Sequence, residues 1–162
     1  MTKEIPLTQG KVTIVDDEDF EYLNQWKWHA AKRYQTWYAK RCSTKGEGLP
    51  LKKEITMHRV IMNTRPGLHT DHINRDGLDN RRENLRECTH SQNHMNRISH
   101  RGSSSQYKGV SWHSRDKIWQ ASIRINKACT YLGSFHSEIE AAKVYNAAAE
   151  KLFGEFSNLN EV

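Results

Sequence analysis

Asp71 and His72 are neighbours in the chain; Asn84 follows His72 by twelve residues, and Asn93 follows Asn84 by nine. A carboxylate, an imidazole and two amides are the side chains of a hard-cation site next to a base that titrates near neutrality. In an extended strand, adjacent side chains point to opposite faces. With a twist or bend in that strand, one of the Asp71/His72 pair can hold a metal while the other addresses a nearby water. One carboxylate plus one amide oxygen is a sparse, hard-oxygen ligand set. It suits Mg²⁺ or Mn²⁺, with water and substrate oxygens completing the shell, better than zinc.

The elements that must position these groups follow from local patterns. "LHTDHINRDG" reads as a strand ending in a turn at Asp76-Gly77, "NLREC" as a short returning strand, and "THSQNHMNR" as a helix capped by Thr89. Asn84 then stands at the start of the return strand and Asn93 on the first turns of the helix. His90, His94 and Asn96 read as helix surface, with His94 a weaker ligand candidate one residue from Asn93. A strand-loop-strand-helix piece of this size has little core of its own, and a bound metal ion would help hold it. Arg75, Arg81, Arg82 and Arg86 lie within the same stretch and are suited to positioning phosphates.

Composition narrows the partners. The chain has 162 residues, long enough for one ordinary domain or two or three small ones, and a 36% hydrophobic share that predicts thin cores. Five tryptophans and six tyrosines argue against disorder, and a formal charge of +6 favours a polyanionic partner. Cys42, Cys88 and Cys129 are isolated, with no CxxC pair, which argues against a zinc ribbon and a disulfide framework and fits free thiols in a reducing compartment. "MTKEIPLTQGKVTIV" has no apolar leader region, and no run approaches the roughly 18 apolar residues that span a bilayer. The expectation is a soluble, cytoplasmic protein without a membrane partner.

Residues 1–55 read as a small α+β segment: Val12 and Ile14 alternate as in a strand, "DDEDFEYLNQW" forms a helix with acids in its first turn, and "TWYAKRCS" forms another strand. Trp26, Trp28 and Trp37 read as packing residues. Residues 56–98 hold the constellation above, and 99–106, within "RISHRGSSSQ", have linker composition. Residues 107–160 split into a basic half and an acidic half: 107–134 carry five basic residues and one acid. There Trp119, Ala121, Ile123 and Ile125 alternate with Gln120, Ser122, Arg124 and Asn126, and "HSRDK" and "RINKA" are turns of a three-stranded antiparallel sheet.

Ser137 and Glu140 then form a capping box. An amphipathic helix follows, with Ile139, Ala142, Val144, Tyr145, Ala148, Ala149, Leu152 and Phe153 on its apolar side. That helix covers one sheet face and leaves the other open and basic. Lys108, Arg115, Lys117, Arg124 and Lys127 sit among Trp112 and Tyr131, a surface that fits the major groove of double-stranded DNA. The fold class predicted is α+β throughout.

Two resemblances attach to these motifs. The Y-x-G-V opening, "W-x-A-x-I", "Y-L-G-x-F" and the "EAAxxYNxAAxxxFG" helix make residues 107–160 similar to an AP2 DNA-binding domain. That resemblance implies an open sheet face docked in the major groove, with Lys108, Arg124 and Tyr131 at DNA-facing positions. Ser111 and Cys129 stand where plant members carry arginine. D-H at 71 and 72, N at 84 and N at 93 resemble the HNH nucleases of the ββα-metal class, in the variant whose third motif residue is asparagine. "MHRVIM" matches a segment that often precedes this motif, with His58 and Arg59 placed to pack or touch phosphate.

The nuclease resemblance implies that Asp71 and Asn93 bind one divalent cation, Mg²⁺ first and Mn²⁺ second, that His72 is the general base, and that Asn84 holds the loop and orients His72. The whole chain resembles phage-type HNH homing endonucleases, which implies DNA cleavage in the host cytoplasm by an enzyme anchored through the AP2-like domain; a single motif makes one active centre, so a monomer would nick, and double-strand cleavage would require a dimer or sequential cuts. The competing expectations are a non-catalytic DNA-binding regulator and a zinc-binding structural protein, the second weakened by the lack of clustered cysteines.

Overall fold

Residues 1–33, 36–98, 102–125 and 128–162 are described by the computed structural model of the chain. Mixed helices and antiparallel sheets give the α+β class expected. No helix among the described residues is long and apolar enough to cross a membrane. By its contacts the chain divides into two compact units, Met1–His90 and Ser91–Val162.

The first unit begins with the hairpin of β1 (Thr2–Pro6) and β2 (Val12–Asp16). β2 alternates as expected but in the opposite phase: Thr13 and Val15 are buried, whereas Val12 is exposed. Apolarity alone misassigned the inward face, because the Thr13 hydroxyl has a buried use described below. α1 (Asp17–Leu23) follows at once with Asp17, Glu18 and Asp19 in its first turn, where acids meet the positive end of the helix dipole. Leu23 is fully buried at its end, and the carbonyl of Leu23 accepts the Trp28 indole N–H at 2.8 Å.

β3 (His29–Arg33), β4 (Thr36–Cys42) and β5 (Glu54–Thr56) form a second antiparallel sheet, and α2 (Met57–Ile61) starts directly from its last strand. The site hairpin is β6 (His69–His72) paired with β7 (Leu85–Cys88). The strand-turn-strand order matches expectation, but β1, β3, β5 and α2 carry no periodic signal long enough to have been read.

One core serves this whole unit: Ile5, Val15, Leu23, Trp28, Ala39, Met57, Ile61 and Leu85. Strands from the N-terminal segment and Leu85 of the site hairpin are buried together, so the hairpin does not depend on a core of its own. Truncating Leu23 here would cost about 2–5 kcal/mol in lost transfer energy and cavity.

The second unit contains most of α3 (His90–Met95), which starts directly after Thr89, and the antiparallel sheet of β8 (Val110–His113), β9 (Ile118–Ile125) and β10 (Ala128–Phe135) with β9 central. The "HSRDK" turn is where it was expected; the "RINKA" turn includes Asn126 and Lys127, which lie outside the described residues, as do residues 99–101 of the linker stretch. α4 (Glu138–Phe153) is capped by the Ser137 hydroxyl accepting from the Glu140 N–H. Its buried residues are Ala141, Ala142, Tyr145, Ala149 and Phe153, packed on Val110, Ala121 and Ile123. Ile139 and Leu152, expected on this face, are about half exposed at the flanks of the stripe. Gly109 must be glycine: a Cβ there would lie 2.0 Å from the Tyr145 ring, and its φ is +77°.

Candidate active site

The β6–β7 register sets Asp71 opposite Arg86 and His72 opposite Leu85. Directly paired residues share a face, so Asp71 and Arg86 project from one side while His72 and Leu85 project from the other, into the core. Asp71 and His72 are both buried. The Arg86 Nε and a terminal guanidinium nitrogen donate to Asp71 Oδ2 at 3.0 and 2.9 Å. Arg86, expected to reach phosphate, is engaged with the metal-ligand candidate instead.

His72 lies in an aromatic enclosure that sequence spacing did not reveal. Its ring is 4.9 Å from that of His58 on α2 and 5.8 Å from that of Tyr38 on β4, both edge-on. Its Nε2 meets Asn80 Oδ1 at 3.1 Å. Burial lowers the His72 pKa from the ordinary imidazole value, and the Asn80 contact and the carboxylates of Asp71, Asp76 and Asp79 oppose that shift. His58 is driven down to about 3, first by burial and then by the charges of His72, Arg59 and Lys40. Its Nδ1 is buried with no hydrogen-bond partner among the described residues. Both shifts favour the neutral ring, and a neutral imidazole is the form that accepts a proton.

The Asn84 side chain bonds across the loop between the site strands. Its Oδ1 accepts from the Asn74 N–H at 2.9 Å, and its Nδ2 donates to Asn74 Oδ1 at 2.9 Å and to the Asp79 carbonyl at 2.8 Å. The Ile73 N–H closes the set on the Asn84 carbonyl at 2.8 Å. Asn80, eight residues on from His72, is a side chain that hydrogen-bonds its ring. No motif spacing marks it.

Gly77 lays the intervening loop on β4: its N–H donates to Thr36 Oγ1 at 3.0 Å, and a Cβ would lie 2.3 Å from the Trp37 carbonyl oxygen. β2 grips the far side of that loop, with Ile14 N–H donating to Leu78 O at 2.9 Å and Asn80 N–H donating to Ile14 O at 2.8 Å.

The remaining arginines divide. Arg81 clamps Asp79 with two bonds of 2.7 Å and reaches Glu83, which lowers the Asp79 pKa. Arg82 binds both Asp19 oxygens at 2.8 and 2.6 Å, sits 3.0 Å from Glu18, and donates its backbone N–H to Asp16. The acids at the start of α1 therefore anchor the loop as well as the helix. Arg59 donates to the Leu68 carbonyl at 3.0 Å. Arg75 is exposed in a left-handed turn, φ +68°, and its N–H donates to the His72 carbonyl.

Asn93 is half-buried on α3. The His90 ring lies 5.4 Å from that of His69, tilted by 60°, His94 is exposed, and Asn96, expected at the surface, is buried just past the helix end.

Asp71 offers a carboxylate, a donor of the kind that suits a hard divalent cation. Among the described residues no group of three or more His, Cys, Asp or Glu side chains is placed to hold a metal ion.

In the second unit the register places Trp112 opposite Trp119, with ring centroids 4.9 Å apart. Trp112 therefore shares the helix-side face with Val110 and Ala121 and does not stand on the open face. That open face carries Gln120, Ser122 and Arg124 of β9, with Ser111, Cys129 and Tyr131 opposite them. Arg115 and Lys117 are exposed in the β8–β9 turn. The Lys108 ammonium donates to the Met95 carbonyl, and the Lys108 backbone pairs with Asn160. Lys127 lies outside the described residues.

A family profile described as HNH endonuclease matches residues 57–95. The chain is 30% identical over 152 residues to an uncharacterized HNH endonuclease of Acanthamoeba polyphaga mimivirus, an alignment covering 88% of this chain and 75% of the relative. No solved structure matches it.

Proposed function

Because the chain belongs to the HNH endonuclease family, we propose that it is a metal-dependent DNA endonuclease in which His72 is the general base and Asp71 and Asn93 are the protein ligands of one divalent cation. The observation that carries this reading is the buried His72 beside Asp71 on a single short strand, inside the matched region. His72 takes the proton of a water whose oxygen attacks phosphorus, as the bond to the 3′ oxygen breaks. When bound, the cation supplies charge neutralisation at the phosphate and the leaving oxygen.

Asn84 fixes the loop between the two site strands. Arg75, exposed and on that loop, is the arginine best disposed to meet a phosphate, while Arg81 and Arg82 serve mainly to hold the loop's shape. Mg²⁺ fits the hard donor set best, with Mn²⁺ a substitute.

The C-terminal three-stranded sheet is proposed as an AP2-like anchor that places Arg124 and Tyr131, with Arg115 and Lys117 at the margin, on duplex DNA. Tethering a cleavage site with few base contacts to such a module raises its effective affinity. That division of labour supports a homing-type role for a monomer that nicks one strand per engagement. Cleavage mapping on end-labelled duplexes tests this: wild type should give one metal-dependent break per site, and Asp71→Asn should give none.

A further inference from the structure

Thr13, from the N-terminal hairpin, and Asn80 are both fully buried, and they form one continuous chain of hydrogen bonds with His72. The Thr13 hydroxyl lies 2.7 Å from the Leu78 carbonyl oxygen. A carbonyl only accepts, and two oxygens this close with no proton between them would repel, so the hydroxyl proton is committed there. The Met57 sulfur, 4.0 Å away, is too distant to compete for it. Thr13 Oγ1 is thus left with lone pairs for Asn80 Nδ2, which donates to it at 2.7 Å. That fixes the Asn80 amide with its oxygen toward His72 Nε2, at 3.1 Å. An amide oxygen only accepts, so Nε2 must carry the imidazole proton, and the basic lone pair belongs to Nδ1.

We propose that Thr13 and Asn80 are positioning residues that lock His72 as its Nε2–H tautomer, with Nδ1 as the proton-accepting nitrogen. The inference rests on the reading of His72 as the general base. It also gives the N-terminal hairpin a part in the chemistry: Thr13 and Asn80 are separated by 67 residues, and β2 holds both ends of the 78–80 segment. Removing the Thr13 hydroxyl frees the Asn80 amide to turn over and offer its N–H₂ to Nε2, which would favour the wrong tautomer.

The test is a long-range ¹H–¹⁵N spectrum of the full-length, metal-free protein labelled at histidine nitrogens, with His72 assigned by loss of its signals in His72→Gln. Wild type and Thr13→Ser should show His72 with the proton on Nε2. Thr13→Val should show a mixed or reversed pattern and cleave duplex DNA at least tenfold more slowly at unchanged DNA affinity. The proposal is overturned if wild-type His72 carries its proton on Nδ1, a result that does not depend on any variant folding. It is equally overturned if folded Thr13→Val keeps the wild-type pattern. Should His72→Gln cleave as well as wild type, the general-base assignment fails while the tautomer result stands by itself.

Discussion

Arg86 reaches across the site hairpin and places two guanidinium nitrogens on a single oxygen of Asp71, at 3.0 and 2.9 Å, with both side chains about nine-tenths buried. A metal ion at Asp71 has to share or displace that cation. Replacing Arg86 with Met should therefore destabilise the metal-free protein by about 3–5 kcal/mol, since a buried carboxylate loses these two charge-assisted bonds. Mg²⁺ should restore part of that loss, so the Tm gain on adding Mg²⁺ should be larger in Arg86→Met than in wild type. Equal gains measured by thermal denaturation would contradict Asp71 as a metal ligand.

Asn84→Ala removes three side-chain hydrogen bonds that close the loop between the site strands. With the Asp79 carbonyl left short of a donor, chemical denaturation should show a loss of about 2–4 kcal/mol. Asn84→Asp keeps the acceptor for Asn74 N–H and should lose less. A variant as stable as wild type would mean that the loop holds without this staple.

Acid should weaken the first unit before its carboxylates titrate. His58 titrates at about 3 in the folded protein and near 6.5 when unfolded, so the unfolded chain binds the proton first as pH falls. Stability is then fully present above about pH 6.5 and declines toward pH 3, by up to about 1.4 kcal/mol per pH unit. The lowered His72 pKa acts in the same direction. His58→Phe preserves a ring against Tyr38 and His72 and removes the unpartnered nitrogen. Its Tm at pH 7 should match or exceed wild type, and its loss of Tm between pH 6.5 and 5 should be smaller. An unchanged slope would show that His58 does not control this transition.

Arg124 stands on the open face of the C-terminal sheet opposite Cys129, with Tyr131 opposite Ser122 on the same face. Arg124→Ala in the full chain should weaken duplex binding by about 1–3 kcal/mol. If the contact is to phosphate, the slope of log K against log salt should also fall by about 0.9. Trp112→Ala, on the helix side against Trp119, should lower stability more than it lowers DNA affinity. Unaltered binding in Arg124→Ala would remove the anchoring role from this face.

The parts of the fold visible in the sequence were those whose signals are local. Ser137 and Glu140 mark the start of α4, and the alternation from Trp119 to Ile125 marks β9 with its inward side correct. The turn signal at Asp76-Gly77, "NLREC" and "THSQNHMNR" likewise mark the β6–β7 hairpin and α3. What escaped depends on distant contacts. Thr13 and Asn80 meet across 67 residues, and Arg82 finds Asp19 across 63. Such partners leave no period or cap to read. The basic surroundings of Trp112 in the sequence point to the open face, whereas strand register decides the face. Ile139 and Leu152 fit a helical stripe, but alanines fill the part of α4 that lies nearest the sheet.

Conversion of supercoiled plasmid carrying a target site, with Mg²⁺ and with EDTA, tests the central claim most directly. Wild type should nick with Mg²⁺ and stop with EDTA, and His72→Ala should be slower by about 10²–10⁴-fold while still binding the target. Nicking by wild type no faster than by folded His72→Ala would contradict the assignment of His72 as the general base of a metal-dependent endonuclease.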